Sequence, residues 1–395
     1  LVGSEMCIRD SPRIDSGISC PTWIPIGGCQ GGESAMNPKN SKVTELWFPD
    51  NSDSPCTLLL DLSRASAEGT EPSPQYYCRT WDPTTKDPGV RVGILDPNRL
   101  THQTAFLGGS GITHHFLVME KPPSWPLLWN AGFAGLKLST ISKQLFTASY
   151  PWMVKWALQA SAWTDDERLL ALTKLLVAHA DASLPPVDKT EMLGRLPLKL
   201  SLRLITYRSH YESIRARTID PKAMDTAVNR AFMKYQDELL RWSQSLTCSS
   251  SYREKEWSNP NLSEWSAIIY CHLPQIRQLL SGGGLTVAGP TREDIEASLG
   301  HSIPDTRFHE RLDPAMQYYL NHDQDFTAYR FCTGFLYSNL YSLGIPLRLR
   351  YLVCGLAARF NEELSDTTWR DLRDLFHEAA TVAYYTRDTD GSGIR

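Results

Sequence analysis

The chain has 395 residues, of which 40 are Lys or Arg and 44 are Asp or Glu, so its formal net charge is −4. This balance excludes a strongly basic protein that coats nucleic acid, and hydrophobic and charged contents of 42% and 21% are ordinary for a globular protein. The length predicts about two or three domains. No stretch of roughly 18 apolar residues occurs, so we expect no membrane partner.

The amino-terminal stretch LVGSEMCIRDS lacks the pattern of a signal peptide, because it contains no apolar run of about 7 to 15 residues. Residues 1–11 resemble a translated sequencing adapter. We therefore expect a fragment from an environmental assembly, in which the folded protein starts after residue 11. Residues 12–42 are rich in Gly, Pro and Ser and predict a flexible arm.

Residues 43–120 contain short runs of β-branched and aromatic residues, separated by clusters of Pro, Asp, Gly and Asn. The runs are VTELWF, CTLLLDL, YYCRTW, VRVGIL and ITHHFLVME. Runs of this kind are typical of strands. We predict a small antiparallel β region here.

The pattern becomes helical after KPPSWP at 121–126. Thr164, with Glu167 three residues later, predicts a helix that starts with a reciprocal capping box. Asp220 followed by Pro221 predicts a second helix start. The apolar residues beyond it recur at steps of three or four and predict a buried stripe of about six turns. They are Met224, Val228, Ala231, Tyr235, Leu239, Trp242 and Leu246.

Further helices are predicted downstream, first a short one from Thr291 to Gly300 and then three longer ones. The longer ones span 315–343, 346–363 and 366–385. The predicted fold class is α+β, mainly α, with a small antiparallel β region followed by a larger helical bundle-like domain. The predicted organisation is 1–11 adapter, 12–42 arm, 43–120 β region, 121–387 helical domain and 388–395 polar terminal turn. In an alternative, the helical domain divides into two sub-bundles near 247–260 or 281–290.

The segment 189–217 is strongly basic, with seven Lys or Arg against two Glu. Basic and aromatic side chains together favour contact with the phosphates and unpaired bases of RNA or DNA. The alternative is a solvated helix face that balances acidic neighbours. The residues predicted to bind nucleic acid are Lys199, Arg203, Tyr207, Arg208, His210, Tyr211, Arg215 and Arg217. The arginines that would extend this surface are Arg348, Arg350 and Arg359.

Two stretches are weak metal candidates. His114 and His115 are neighbours in a predicted strand and point to opposite faces, so only one of them could act with His102 or Glu120 as a metal ligand or base. The alternative is a packed and a surface histidine beside a tight turn.

The sequence DTDGSG at 388–393 resembles the first half of an EF-hand calcium loop, with Asp388, Asp390 and Ser392 at alternating ligand positions. The resemblance covers about eight residues and lacks the bidentate Glu. We therefore expect weak calcium binding at most, and the alternative is a polar turn.

Trp152, Trp156 and Trp163 share one helical face in YPWMVKWALQASAW. Such a stripe usually packs in a core. The alternatives are a membrane interface and a partner helix.

Eight cysteines follow the adapter, without a CxxC motif or zinc-finger spacing. We expect free thiols in a reducing compartment such as the cytoplasm. The alternatives are a zinc site and disulfides that pair Cys20 with Cys29 and Cys56 with Cys78.

Because no catalytic constellation is visible, the sequence favours a non-catalytic structural or assembly protein, similar to a viral coat protein or nucleoprotein, with self-assembly and RNA or DNA as partners. No motif implies a cofactor. One alternative is an N-terminal fragment of a larger nucleic-acid-processing enzyme such as a polymerase. Another is a metal-dependent hydrolase that uses His102, His114 or His115.

Overall fold

The computed structural model describes the chain between residues 44 and 371, with gaps. The described ranges are 44–49, 55–68, 74–81, 88–94, 103–107, 113–119, 132–184, 192–193, 196–216, 218–247, 259–287, 306–308, 323–366 and 368–371. The predicted arm, the helix from Thr291 to Gly300 and the segment 388–395 lie outside them.

Five strands form one antiparallel sheet in the order β2-β3-β1-β5-β4. They are β1 (Thr44–Pro49), β2 (Pro74–Trp81), β3 (Pro88–Ile94), β4 (Gln103–Leu107) and β5 (Thr113–Met119). The central strand β1 pairs Thr44 with Ile94 on one side and Glu45 with Met119 on the other. The predicted antiparallel β region is confirmed.

The run CTLLLDL is helical, so its prediction as a strand is wrong. It lies in α1 (Pro55–Ala67), where Leu58, Leu59 and Leu62 are buried on one side. A short apolar run fits a buried strand and a buried helix face equally well, and its periodicity does not separate the two. Packing against the sheet and the following helix makes this run helical.

Seven more helices occur within the described ranges. They are α2 (Leu138–Ala160), α3 (Asp165–Ser183), α4 (Leu198–Arg215), α5 (Pro221–Thr247), α6 (Pro260–Ser281), α7 (Gln324–Ser342) and α8 (Leu347–Ser365). Two pairs of short strands accompany them: β6 (Phe133–Ala134) with β9 (Thr286–Val287), and β7 (Met192–Leu193) with β8 (Leu196–Pro197). The predicted fold class, α+β and mainly α, is confirmed.

The helix starts follow their predicted chemistry. The Thr164 hydroxyl accepts a hydrogen bond from the Glu167 amide at 3.3 Å, and Glu167 accepts one from the Thr164 amide at 2.8 Å. At the start of α5, the Asp220 carboxylate accepts from the Ala223 amide at 2.9 Å. Caps of this kind satisfy amides that no helical carbonyl can reach. Along α5 the middle of the predicted stripe is buried, namely Val228, Ala231, Tyr235, Leu239 and Trp242.

The sheet and the helices bury their apolar side chains in one continuous cluster. Within it, Trp152 of α2 lies 4.5 Å from Trp265 of α6, measured between ring centroids. Trp152 also contacts Trp156, and Trp156 contacts Trp163. The tryptophan stripe is therefore core packing, as predicted, because Trp152 and Trp156 are fully buried and Trp163 packs against the same cluster.

Two histidines are held neutral in the helical part. The Trp265 indole donates to Nδ1 of His179 at 3.2 Å, so Nε2 carries the proton and faces the Thr333 hydroxyl at 3.2 Å. Burial lowers the pKa of His179 to about 3. His210 shares a 2.6 Å hydrogen bond with the Tyr337 hydroxyl, and burial lowers its pKa to about 4.

Five cysteines within the described ranges form no disulfide: Cys56, Cys78, Cys271, Cys332 and Cys354. Cys56 and Cys78 therefore do not form the alternative disulfide. Burial raises the pKa of both Cys78 and Cys332 to about 12, which keeps these thiols protonated and unreactive. None of the helices described is long and apolar enough to cross a membrane.

Candidate functional site

A cleft of about 230 Å³ opens where α4, α5 and α8 meet the short segments 306–308 and 368–370. We call it the arginine cleft. Its charged lining comprises Arg208, Arg307, Arg359, Arg370, Asp225 and Glu362. Tyr211, Val228, Asn229, Thr368 and Trp369 complete the wall.

Helical spacing places the α4 residues of the cleft on one face. Arg208, Tyr211, Glu212 and Arg215 follow one another at steps of three, one and three, so they stack on neighbouring turns. The opposing helix α8 approaches closely at Gly355. A Cβ atom there would lie 2.7 Å from Cδ2 of Tyr211, so only glycine allows this packing without displacement of the ring.

Glu212 joins two of the arginines at the base of the cleft. Its carboxylate, with 1% of the side chain exposed, accepts from Nε and Nη2 of Arg307 at 2.7 and 2.8 Å. Nη2 of Arg208 lies 2.8 Å from the same carboxylate. These charge-assisted contacts fix both guanidinium groups in position.

Asp225 organises the neighbouring wall. Its carboxylate accepts bidentate hydrogen bonds from Arg215 at 2.9 to 3.0 Å and a hydrogen bond from the Tyr211 hydroxyl at 2.7 Å. Burial opposes ionisation of Asp225, yet the bonds from Arg215 and Tyr211 leave its pKa below the usual range. Burial, together with the bond to Asp225, raises the pKa of Tyr211, so the phenol stays protonated.

The Trp369 ring contacts three of the guanidinium groups of the cleft. Its ring is 5% exposed and lies 5.2 Å from the guanidinium of Arg208, 5.9 Å from Arg307 and 5.5 Å from Arg370. The Trp369 amide donates to Glu362 at 3.4 Å. Cation–π contact of this kind orients arginine side chains without neutralising their charge.

Several N–H groups in the cleft have no acceptor among the described residues. Nε of Arg208 and Nε of Arg359 are buried without a hydrogen-bond partner. Arg359 contacts Glu362 through Nη1 at 3.2 Å. Within the described ranges, Arg370 makes its contact with the Trp369 ring and forms no ion pair. The cleft therefore presents the guanidinium group of the exposed Arg370 to whatever enters it.

The structure brings some of the predicted nucleic-acid residues together and separates others. Arg208 and Tyr211 line the cleft, and Arg215 pairs with its wall residue Asp225; carboxylates pair with both arginines. Tyr207 is buried and donates to the Leu176 carbonyl, and His210 faces α7.

Other predicted residues are not described in full. Lys199 and Arg203 lie in α4, but their side chains are outside the described part, as is all of Arg217. Nucleic-acid contact and self-assembly stay predictions.

The metal predictions also fall largely outside the described ranges. His114 and His115 occupy adjacent positions of β5, opposite Phe106 and Ala105 of β4, and their side chains are not described. His102 and the residues Asp388, Asp390 and Ser392 lie outside altogether. In the part of the chain that is described, no three His, Cys, Asp or Glu side chains are grouped to hold a metal ion.

Sequence reasoning missed the residues that close the cleft from other parts of the chain. Arg307 and Arg370 carry no motif. Glu362 reads as an ordinary helix-surface charge, although it is 5% exposed. The spacing of Arg359 and Glu362, three residues apart on α8, was the available signal, because it places both groups on one helix face.

No protein-family model matches the sequence, and no curated protein matches it. Solved structures that share its fold include TsrL and TbtD. The crystal structure of TsrL matches with a TM-score of 0.58 at 18% identity, covering 85% of this chain and 98% of TsrL. TbtD, a pyridine synthase from thiomuracin biosynthesis, matches with a TM-score of 0.51 at 13% identity, covering 82% of this chain and 99% of TbtD. At these identities the likeness is one of fold.

The prediction of a non-catalytic structural or assembly protein with a viral character is wrong, because this fold is one that a pyridine synthase uses. The alternatives of a polymerase fragment and a metal-dependent hydrolase stay predictions. The error has a physical cause. The prediction relied on the absence of a catalytic motif, whereas functional side chains can be scattered along a chain and meet only on folding.

Proposed function

We propose that this chain is a biosynthetic enzyme that forms a nitrogen heteroaromatic ring, the class of product for which TbtD is named. The observation that carries the proposal is the extent of the fold similarity, which takes in 99% of TbtD and 82% of this chain. Fold alone does not fix chemistry, so the proposal also needs a site that suits it.

The arginine cleft is the site to which we assign this chemistry. Closing and aromatising a ring moves protons and develops charge on substrate oxygen or nitrogen atoms. Fixed N–H donors aimed at such atoms stabilise the transition state, because the donors need no reorganisation when the charge appears. The guanidinium groups of Arg359 and Arg370, which line the cleft, supply donors of this type.

The walls of the cleft hold those donors in place. Glu212 binds Arg208 and Arg307 and fixes their positions, and the Trp369 ring packs against the Arg208 guanidinium. The protonated Tyr211 phenol adds a neutral polar surface whose direction Asp225 sets. Preorganisation of this kind is what a ring-forming site requires, since a small displacement of a donor weakens its effect.

The activity is tested with the purified full chain and the substrate of TbtD. Product is followed by liquid chromatography with mass spectrometry and by the ultraviolet absorbance of a new pyridine ring. We expect product with the wild type, a drop of about tenfold or more in rate for Arg359→Gln, and an unchanged rate for Arg241→Gln. Arg241 is a matched control, because it is exposed on α5 and bonds its own helix backbone.

Two results would contradict the proposal. The first is a folded wild type that yields no pyridine product from this substrate. The second is product formation that Arg359→Gln and Arg241→Gln affect equally, which would separate the activity from the arginine cleft. Circular dichroism of each variant shows that the fold is intact.

We also infer that the protein works in a reducing compartment. The support is that Cys78 and Cys332 are buried free thiols, and reducing compartments keep thiols in this state. Thiol titration of protein prepared without reductant, first native and then denatured, tests this inference. We expect these thiols to react only after denaturation, whereas disulfide-bonded protein would contradict the inference.

A further inference from the structure

The arginine cleft carries an excess of positive charge. The described residues that line it, or that pair with its lining, include five guanidinium groups and four carboxylates. The guanidiniums belong to Arg208, Arg215, Arg307, Arg359 and Arg370, and the carboxylates to Glu212, Asp225, Glu362 and Asp371, the last of which accepts from Thr368 at 2.7 Å. Arginine stays protonated at all ordinary pH values, so the excess is permanent.

The carboxylates are already engaged by part of this set. Glu212 binds Arg307 and Arg208 at 2.7 to 2.8 Å. Asp225 binds Arg215 at 2.9 to 3.0 Å and the Tyr211 hydroxyl. These two acids therefore leave little capacity for the remaining cations.

Glu362 is the third acid, and it is shared. It accepts from Arg359 at 3.2 Å and from the Trp369 amide at 3.4 Å, with Arg208 at 3.7 Å. The single negative charge of Glu362, which already contacts Arg208, cannot neutralise the positive charges of both Arg359 and Arg370. Arg370 contacts a ring and no carboxylate within the described ranges.

The unbalanced groups suit one kind of ligand. A guanidinium presents its N–H groups as a planar fork that matches two oxygens of a carboxylate or phosphate. Arg359 is partly shielded, with 36% of its side chain exposed, and an ion pair is stronger there than in open water. The cleft volume of about 230 Å³ admits such a group together with part of the molecule that carries it.

We propose that the arginine cleft binds an oxyanion, a carboxylate or a phosphate, of the substrate through Arg359 and Arg370. This inference rests on the proposed function, because it assigns the substrate's anionic group to the same cleft. Arg208 and Arg307 are positioning residues in this arrangement, since Glu212 holds them and they hold Trp369. Trp369 in turn sets the position of Arg370.

Binding is measured by isothermal titration calorimetry on the full chain, without turnover, in a chloride-free buffer. The probes are inorganic phosphate and succinate. We expect saturable binding of at least one probe and a weakening by about tenfold or more in Arg359→Gln and in Arg370→Gln. Arg241→Gln is the control and keeps wild-type affinity, and added salt weakens binding in the wild type.

The outcomes separate the sources of the anion. Tighter binding of phosphate supports a phosphate-bearing substrate, and tighter binding of succinate supports a carboxylate. A folded wild type that binds neither probe overturns the inference, as does equal binding by the wild type and both cleft variants. Arg370→Gln keeps the test decisive should Arg359→Gln misfold, because Arg370 is exposed and its loss removes no ion pair within the described ranges.

The failure of this inference and the failure of the proposed function give different results. Anion binding without ring formation would overturn the proposed function and leave the oxyanion site standing. Ring formation without anion binding would overturn the oxyanion site alone.

Discussion

Replacing Glu212 by Gln should destabilise the protein strongly while leaving the shape of the side chain almost unchanged. The substitution removes the charge that faces Arg208, whose side chain is 10% exposed and lies 2.8 Å away. Removing one partner of a buried ion pair typically costs about 3 to 5 kcal/mol, because the other charge stays buried without compensation.

The second partner of Glu212 adds less. Arg307 has 34% of its side chain exposed, so water compensates much of its loss, and exposed pairs contribute about 0 to 1 kcal/mol. Arg208 also keeps a distant contact with Glu362 at 3.7 Å, which places the expected loss toward the lower end of the range. A loss of about 3 kcal/mol is roughly a hundredfold change in the unfolding equilibrium.

The assay is urea unfolding followed by tryptophan fluorescence and circular dichroism. We expect a lower midpoint with an unchanged dependence on urea, since the same surface is exposed on unfolding. Glu238→Gln is the matched control. It breaks the surface pair with Lys174, in which 48% of the Glu238 side chain is exposed, and should cost about 0 to 1 kcal/mol.

The reasoning is refuted if Glu212→Gln costs no more than Glu238→Gln. That result would mean that solvent reaches the base of the cleft and that Arg208 and Arg307 do not depend on Glu212 for their positions. The assignment of Arg208 as a positioning residue would then also be wrong.

Three further predictions concern stability. Gly355→Ala should cost about 1 to 3 kcal/mol by overpacking against Tyr211 and should reduce anion binding in the calorimetric assay; wild-type stability would contradict the close approach of the helices. Leu239→Ala, at a fully buried position of α5, should cost about 2 to 5 kcal/mol in urea unfolding, and a cost below this range would mean that the core refills the cavity. Stability should decrease as the pH is lowered, because His179 and His210 have folded-state pKa values of about 3 and about 4, below the ordinary 6.5. Between the folded-state pKa and 6.5, each histidine binds a proton in the unfolded chain but not in the folded protein. Stability is therefore full above pH 6.5 and is lost as the pH falls toward 4, at about 1.4 kcal/mol per pH unit for each histidine. His179→Gln should flatten this dependence, and an unchanged slope would count against a neutral buried His179.

The sequence by itself determined those features that depend on neighbours along the chain. The capping box of Thr164 and Glu167, the helix start at Asp220 and the buried stripe of α5 are local, because a helix brings residues three and four apart into contact wherever it forms. The mainly helical fold class follows from such patterns. The run CTLLLDL marks the limit, since its burial was visible in its composition but its conformation depended on what packs against it.

Only the tertiary structure decided the site. The basic character of α4 was evident in the sequence, as was Glu212 four residues after Arg208, whereas the other partners of Arg208 and Arg215 come from α5, from α8 and from Trp369. The sign of a charge is a property of one residue, but whether that charge meets water, a nucleic acid or a carboxylate depends on which segments the fold brings within about 4 Å. Helices far apart in the chain decide this, and for that reason a basic stretch predicted as an outer surface became the wall of a cleft.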